Sequence, residues 1–508
     1  MLNRNRVLLV YPPNQLMEIE TPRPDGSLGP LYLAGALELA GFSVDVLDAS
    51  VGTADDSLEE TFYRSVKLPN GLTRIGMSPD RIAEVVSTGE YGLVGINSNF
   101  TPQTRMALEV ASVVKSVDPS ILVVAGGVNA RNSLNRFFAE GNVDQICLTE
   151  GDRIFPMIAQ TWRRKEDLRH LYGVAFQDGA GQIVRKSARP GDVVIDLDDL
   201  PFPTWEKLPF GHYDKISSPH GVSAEKQKRY APIMTSRGCP FRCSFCHISV
   251  EKSMVGEVGD IGSLRLKSVG RVIEEINRLR ELGVEKLFFE DDSLLAKKER
   301  VRQIFSSVVG CGLSIADVNG VNLVHFLKRE NGRLVIDVEY LELLAESGFN
   351  QIVFPVESGS QRILDKYATA KLNLRTLDVV ELVRLARRAG IVCPINMMIG
   401  FPDETEKEMR ESIALAKRLV EAGAEYCTFF IPIPFPGSSL FETAIAGGNL
   451  DRDFDPDSLN WKNAVMRNTT VPAERIIEIR DQAWREVNTA QHVAMRLQAS
   501  IGTRWQDK

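Results

Sequence analysis

Histidine is scarce in this chain and absent from its first third: there are six in 508 residues, at 170, 212, 220, 247, 325 and 492. Whatever the first 169 residues bind, they offer it no imidazole. Seven cysteines in so long a chain are too few for a disulfide framework. The apolar runs are strand-sized and interrupted, short of the ~20 residues that a membrane helix needs. The opening MLNRNRVLLVYPPN holds a short apolar stretch stopped by Pro12 and Pro13, too short for a secretory core, so a cytoplasmic protein without a membrane span is expected. Basic charge is not in excess either, 60 Lys and Arg against 67 Asp and Glu for a net charge of −7, which does not favour a nucleic-acid-binding surface. What remains is ordinary for a globular protein: 44% hydrophobic, 25% charged, 39 Gly and 25 Pro, excluding collagen-like, disordered and coiled-coil chains. At ~150 residues per domain the length predicts roughly three domains.

The first 150 residues alternate strand-like with helix-like segments. RVLLVYPP is a short apolar run closed by prolines, LYLAGALELAG is helical in period as far as Gly41, and FSVDVLDAS alternates as a strand does. LVGINSN, QTRMALEVASVVKSV, ILVVAGG and VDQICLTEG continue the series. The pattern predicts an α/β fold, with a Rossmann-like, doubly wound parallel sheet over residues 1–154. Ligands of such sheets sit at the carboxyl ends of the strands. Here those ends are Tyr11 to Asn14; Asn97, Ser98 and Asn99; Gly126, Gly127, Val128 and Asn129; and Glu150, Gly151 and Asp152.

Residues 155–229 read as a connector, with a hairpin in GVAFQDGAGQIVRK and a proline-punctuated strap in DLDDLPFPTWEKLPFGHYD that packs two domains together. From 230 to 440 a second βα series repeats internally: a helix closes on glycine and a strand follows, in LRELGVEKLFF, LAESGFNQIVF, ARRAGIVCPIN and LVEAGAEYCTF, with the glycines at 283, 348, 390 and 423. With APIMTSRG at its head and a strand near Ile315–Val321, the series makes about six units, a partial (β/α)6 TIM-type barrel with its site at the carboxyl ends of the strands. Residues 441–508 predict a helical C-terminal extension that covers the barrel.

Cys147, Cys311, Cys393 and Cys427 are scattered in apolar surroundings, as core thiols are, whereas Cys239, Cys243 and Cys246 fall within eight residues. RGCPFRCSFCHIS follows the first barrel strand directly, so its thiols emerge at the barrel mouth. Three thiolates at spacings of four and three can wrap one face of a [4Fe–4S] cubane and leave its fourth iron open to a substrate. The alternative metal is zinc, with His247 completing the set, but four ligands packed so tightly would strain a tetrahedral site. Inert thiols are the other alternative.

CxxxCxxC on the first loop of a partial barrel is the signature of the radical S-adenosylmethionine (radical SAM) superfamily, and this segment resembles it. The resemblance implies that Cys239, Cys243 and Cys246 ligate the cluster. The amine and carboxylate of S-adenosylmethionine would chelate the open iron, and one electron would cleave the sulfonium to methionine and a 5′-deoxyadenosyl radical. FFEDDSLL places Glu290, Asp291 and Asp292 at the end of the second strand, where the family binds the amino group of S-adenosylmethionine. A helix cap is the other role open to Asp292 and Ser293. VFPVESGSQRIL resembles the fourth-strand motif, implying cofactor contacts from Glu357 and Ser358, with an ion-pair role the alternative for Glu357. MMIGFPDET is similar to the fifth-strand motif with Asp403 where glycine is usual, and FIPIPFPGSSL resembles a sixth-strand element in which Pro434, Pro436 and Gly437 shape the adenine pocket.

The order of the chain, and the pieces VLLVYPPN, GPLYLAGALELAG, GINSNFTP, VVAGGVNA and TEGD, are similar to the cobalamin-binding branch of that superfamily. The resemblance implies cobalamin contacts from Asn97, Ser98, Asn99, Gly126, Gly127, Asn129, Glu150 and Gly151. The His-containing DxHxxG loop of the mutases is absent, and Asn129 stands where relatives often carry His. Cobalamin would then bind without a histidine from this domain, its lower face shielded by a loop such as Asn97–Thr101 or holding water or a non-imidazole side chain. Cobalt without a strong lower ligand cycles more easily through Co(I), which suits methyl transfer. A scaffold that binds no cofactor is the other reading of the domain.

The resulting expectation is a cobalamin-dependent radical SAM methyltransferase acting on an unactivated carbon, or phosphorus, of a small-molecule biosynthetic intermediate. One S-adenosylmethionine would supply the methyl through cobalt and a second the radical, with electrons from a donor such as flavodoxin or ferredoxin. The alternative is a cyclase, oxidase or ring-rearranging enzyme with the same cofactors and no methyl transfer. A non-catalytic metal-binding protein is a third reading. No residue identifies the substrate or a catalytic group beyond the cofactor contacts.

Overall fold

The structure is a computed structural model, and it describes residues 2–18, 20, 22, 24, 26–216, 228–369, 371–490 and 494. The chain folds as two compact units, one made of Met1–Pro219 with Glu251–Ile261, the other of His220–Val250 with Gly262–Lys508.

The first unit is built on a seven-stranded sheet. Its elements are β1 (Asn3–Tyr11), α1 (Leu28–Leu39), β2 (Ser43–Asp48), α2 (Pro79–Gly89), β3 (Tyr91–Asn97), α3 (Thr104–Val117), β4 (Leu122–Gly126), α4 (Val128–Asn132), β5 (Gln145–Cys147), α5 (Gly151–Arg163), β6 (Val174–Gln177) and β7 (Ile183–Lys186). The strand order is β7-β6-β5-β4-β3-β1-β2. Strands β1 to β5 run parallel, and the hairpin β6–β7 adds an antiparallel edge. The two-fold period of a strand divides the core between the faces. Val7 and Leu9 of β1 pack with Ala34, Leu37, Ile154, Phe155 and Ile158, while Leu8 and Val10 pack with Ile82, Val86, Ala107, Val110 and Val114. This is the expected doubly wound sheet. Its order 2-1-3-4-5 puts the topological switch between β1 and β3, the position at whose carboxyl ends ligands of such sheets bind.

The boundary expected at residue 154 falls inside α5, and the hairpin assigned to a connector completes the sheet. The proline-rich strap after it belongs to the same unit: Trp205 is buried, Tyr213 Oη donates to Asp48 Oδ2 at 2.7 Å, and His212 Nε2 pairs with the Thr53 carbonyl at 2.6 Å.

The second unit carries the partial barrel. Strands β8 (Tyr230–Ile233), β9 (Lys286–Phe289), β10 (Ser314–Asp317) and β11 (Phe349–Gln351) form one parallel arc, and β12 (Phe354–Glu357), β13 (Ile395–Met398) and β14 (Cys427–Phe430) form another. β11 and β12 are the fourth barrel strand, broken at Ile352 and Val353. Hydrogen bonds from Ile352 N to Val392 O (3.0 Å) and from Phe354 N to Pro394 O (2.8 Å) carry the pairing across the break. The series therefore has the six strand positions expected. The third is shorter than expected, ending at Asp317, because its carboxylate accepts Gly320 N at 3.0 Å and turns the chain.

Helices α6 (Val269–Glu281), α7 (Lys298–Ser306), α8 (Val338–Glu346), α9 (Gln361–Tyr367), α10 (Val379–Arg388) and α11 (Glu406–Glu421) return the chain between strands. The repeated glycines at 283, 348, 390 and 423 all have positive φ, the left-handed turn that ends a helix and frees the chain for the next strand. After β14 come α12 (Ser439–Ala446) and α13 (Ala473–Val487). Past α13, the Asn488 side chain accepts from Cys427 N (2.8 Å) and donates to Cys427 O (2.9 Å), covering the edge of the sixth strand. Between α12 and α13 the expected helical extension is mostly loop, and of its end only residues 488–490 and 494 are described.

Candidate functional site

In the first unit, the ends of β3 and β4 are knitted together. Ser98 N donates to Gly126 O (2.8 Å), and Asn129 N returns to Ser98 O (3.1 Å). The Asn129 side chain, 1% exposed, donates to Ser98 Oγ (2.8 Å) and Thr104 Oγ1 (3.0 Å) and accepts from Ser133 Oγ (3.2 Å). Asn129 and Ser98 are thus occupied in shaping the edge, while Asn99 and Phe100 beside them are exposed. Asn97, Gly126, Gly127, Glu150 and Gly151 are partly exposed.

Glu150 precedes α5, and its charge acts on Arg131, which forms a buried ion pair with Glu251. Burial still pulls the Arg131 guanidinium down to about 10. Sequence reasoning missed this pair, since nothing in the motif order brings residue 251 to residue 131. The segment Glu251–Ile261 is further held by Ala188 N to Glu257 O (2.7 Å) and by an apolar cluster of Val193, Met254, Val258 and Ile261.

In the second unit, the cysteine loop leaves β8 through a short ribbon in which Ser236 pairs with Leu266 and Arg237 with Arg265. Cys239 N donates to Gly262 O (3.3 Å), Cys246 N donates to Cys243 O (3.1 Å), and a helical turn starts at His247. None of the seven cysteines is in a disulfide; Cys147, Cys393 and Cys427 are buried and Cys311 is partly exposed. Burial pushes the Cys243 thiol up to about 11 and the Cys246 thiol up to about 12; Lys371 opposes the first shift, and Asp292, Cys243 and Cys239 add to the second. The trio is therefore within mutual electrostatic reach. Among the described residues no three His, Cys, Asp or Glu side chains are gathered for a single ion. Three soft sulfur donors without a fourth suit an iron–sulfur cluster with an open corner.

The two aspartates after β9 part company. Asp291 is fully buried, and its carboxylate accepts from Thr235 N (3.0 and 3.1 Å), Thr235 Oγ1 (2.7 Å) and Ser236 Oγ (2.5 Å), tying the second strand to the start of the cysteine loop. Asp292 is exposed and acts electrostatically on Cys246. Ser358 is also turned inward: it is 0% exposed and its Oγ lies 3.2 Å from Ser412 Oγ of α11. Glu357, at a left-handed φ of 66°, accepts from Lys371 Nζ at 2.5 Å. Burial alone would lower the Lys371 ammonium, but Glu357 and then Cys243 hold it above its ordinary value. Sequence reasoning missed Lys371, which belongs to no motif.

Asp403 fills its glycine position with a charge cluster, accepting from Arg362 (2.7 Å), Lys366 (2.8 Å) and Tyr367 Oη (2.5 Å). At the end of β10, three buried polar atoms have no hydrogen-bond partner among the described residues: Asp317 Oδ1, Asn322 Oδ1 and His325 Nε2. The His325 ring meets Phe241 of the cysteine loop edge-on, 5.9 Å between centroids.

Two family models divide the chain as the folds do. The B12 binding domain matches residues 26–159 and the radical SAM superfamily matches residues 233–416. The chain belongs to the radical SAM enzymes that carry a cobalamin-binding domain, and its cofactors are a [4Fe–4S] cluster, S-adenosylmethionine and cobalamin. It is 28% identical over 494 residues to the cytidylyl-2-hydroxyethylphosphonate methyltransferase of Streptomyces wedmorensis, covering 91% of this chain and 85% of that one. It is 25% identical over 419 residues to the anaerobic magnesium-protoporphyrin IX monomethyl ester cyclase of Cereibacter sphaeroides, covering 81% of this chain and 62% of that one. The fold is shared with the radical S-adenosylmethionine methyltransferase TsrM from Kitasatospora setae, solved with cobalamin and a [4Fe–4S] cluster: TM-score 0.60, 17% identity, 87% of this chain and 78% of that one.

Proposed function

We propose that this protein is a cobalamin-dependent radical SAM methyltransferase that methylates an unactivated carbon, or phosphorus, of a small-molecule biosynthetic intermediate. The observation that carries the reading is a cysteine trio at the head of a six-strand partial barrel, in one chain with a 2-1-3-4-5 sheet whose parallel strands and their end loops contain no histidine. The methyltransferase relative aligned over 91% of the chain supports the reaction class.

When bound, the cofactors supply the radical and methyl-carrying chemistry, and the protein supplies position. Cys239, Cys243 and Cys246 would hold the cluster, and with three sulfur donors an iron would stay open to S-adenosylmethionine. Asp292 is the exposed carboxylate placed to take the ammonium. Asp291 and Ser358 serve that site from beneath, fixing strand ends rather than touching ligand. Glu357 is held by Lys371 at the end of the fourth strand. On the first unit Asn97, Asn99, Phe100 and the Gly126-Gly127 turn would hold the corrinoid, with Ser98 and Asn129 bracing them and Glu150 and Gly151 at the next strand end. The protein works in the cytoplasm with a donor such as flavodoxin or ferredoxin and without nucleic acid.

Anaerobic reconstitution with iron, sulfide and cobalamin, followed by turnover with S-adenosylmethionine, tests the reading. Wild type is expected to bind close to four irons per chain, whereas Cys239→Ala binds far less and does not cleave S-adenosylmethionine. A full four-iron absorbance in that variant contradicts it. The cyclase relative supports a second reading without methyl transfer. Methyl transfer yields S-adenosylhomocysteine beside 5′-deoxyadenosine, and the second reading yields only the latter.

A further inference from the structure

The loop that carries the cysteines is gripped in its middle. Ser244 stands between Cys243 and Cys246. Its N–H and its Oγ both donate to the Tyr367 carbonyl, at 2.8 and 3.2 Å, and its own carbonyl accepts from Leu440 N at 2.7 Å. Tyr367 is the last residue of α9, so its carbonyl is one of those a helix end leaves without an internal partner. The next loop residue, Phe245, packs toward Phe401 with 6.1 Å between ring centroids, and Phe401 stacks on the Tyr367 ring at 4.2 Å and 18°. The side chain of Tyr367 is held in turn: its phenol donates to Asp403 Oδ1 at 2.5 Å. Asp403 Oδ2 accepts from Arg362 and Lys366, and Arg362 also donates to Glu408 at 2.7 Å through two nitrogens. Burial would raise the Asp403 carboxyl, but the Lys366, Tyr367 and Arg362 hydrogen bonds outweigh it and hold the group ionised.

A short bond from a phenol to a charged carboxylate is among the stronger hydrogen bonds a protein makes. It fixes the Tyr367 ring, hence the end of α9 and the carbonyl that Ser244 uses. We propose that Asp403 and Tyr367 are positioning residues for the iron–sulfur cluster: they clamp the Cys243–Cys246 stretch so that its two thiols stay in place for iron. Neither residue touches the cofactor.

This rests on reading the three cysteines as cluster ligands, and the test separates the two ideas. The reconstituted full-length protein is mixed anaerobically with the ferrous chelator bathophenanthroline, and the rate of iron release is followed. Tyr367→Phe and Asp403→Asn keep ring and volume but cut the charged bond. Each is expected to release iron ~10-fold faster than wild type, the order of effect of one charge-assisted bond. The double variant is expected to be no faster than Asp403→Asn alone, since that change already cuts the charged bond to Tyr367. The low-temperature electron paramagnetic resonance signal of the reduced cluster is expected to broaden in the same variants. Lys417→Ala, which removes an exposed ion pair to Glu486 in the same unit, is expected to match wild type in both readouts. Release at the wild-type rate in both folded variants overturns the clamp, as does a rate that follows melting temperature alone across all four variants. Wild type that takes up no iron and sulfide overturns the ligand reading itself.

Discussion

Gly127 lies so close to Ser98 that a Cβ at position 127 would stand 2.4 Å from the Ser98 carbonyl oxygen. Its backbone, at φ 103° and ψ 169°, is in a region that essentially only glycine occupies. The two facts make the meeting of the β3 and β4 ends a close backbone approach that only glycine permits. Gly127→Ala is expected to cost about 1–3 kcal/mol of stability from backbone strain, with the Ser98 contact adding to it. Urea unfolding measures the cost, and cobalamin absorbance after gel filtration is expected to fall with it.

Breaking the buried Arg131–Glu251 pair from one side leaves a charge without its partner. Glu251→Ala is expected to destabilise the protein by about 3–5 kcal/mol. The double variant Arg131→Met with Glu251→Leu is expected to recover most of that, because an apolar pair of similar size needs no desolvation of charge. A double-mutant cycle in urea checks both.

Asp291 and Asp292 are adjacent in sequence and opposite in exposure. Asp292→Asn is expected to weaken S-adenosylmethionine binding about 10-fold, the scale of one charged hydrogen bond. Asp291→Asn is expected to lower the melting temperature, since the amide keeps one acceptor oxygen and sets an NH2 where the carboxylate accepts from Thr235 and Ser236. Equilibrium dialysis and thermal melts separate the two.

Asp317 gives a dependence on pH. Burial raises its carboxyl to about 7, and one oxygen has no hydrogen-bond partner. Below about pH 4 folded and unfolded chains both hold the proton. Between there and pH 7 only the folded chain does, so this group's contribution to stability falls as pH rises, and it levels off above 7. Asp317→Asn is expected to gain stability relative to wild type between pH 5 and pH 8, and little at pH 4. Denaturant midpoints across that range check the sign.

Much of the architecture was legible because it repeats. Glycine-closed helices followed by apolar strands announced the barrel series, and the cysteine spacing announced the loop above its first strand. What escaped reading depends on partners far away in sequence. Asp291 and Asp292 share a motif, and only the Thr235–Ser236 turn decides which of them is buried. Asn129 looked like a ligand residue, and its three hydrogen bonds run to 98, 104 and 133. Asp403 stands where the motif has glycine, and its cations come from α9, 41 and 37 residues earlier. Lys371 carries no local signal at all, and the break in the fourth strand is invisible in an apolar run that reads straight through.

The eleven residues from Glu251 to Ile261 fold with the first unit although the chain on both sides of them folds with the second. The two halves are therefore interleaved, and no single cut yields two complete pieces. A fragment starting at residue 230 would carry Val258 and Ile261 with Val193 missing from their cluster, and a fragment ending at 219 would keep Arg131 with its counter-charge gone. Genetic separation of the halves, by truncation or by shuffling with a relative, succeeds only if that short insert travels with the N-terminal piece.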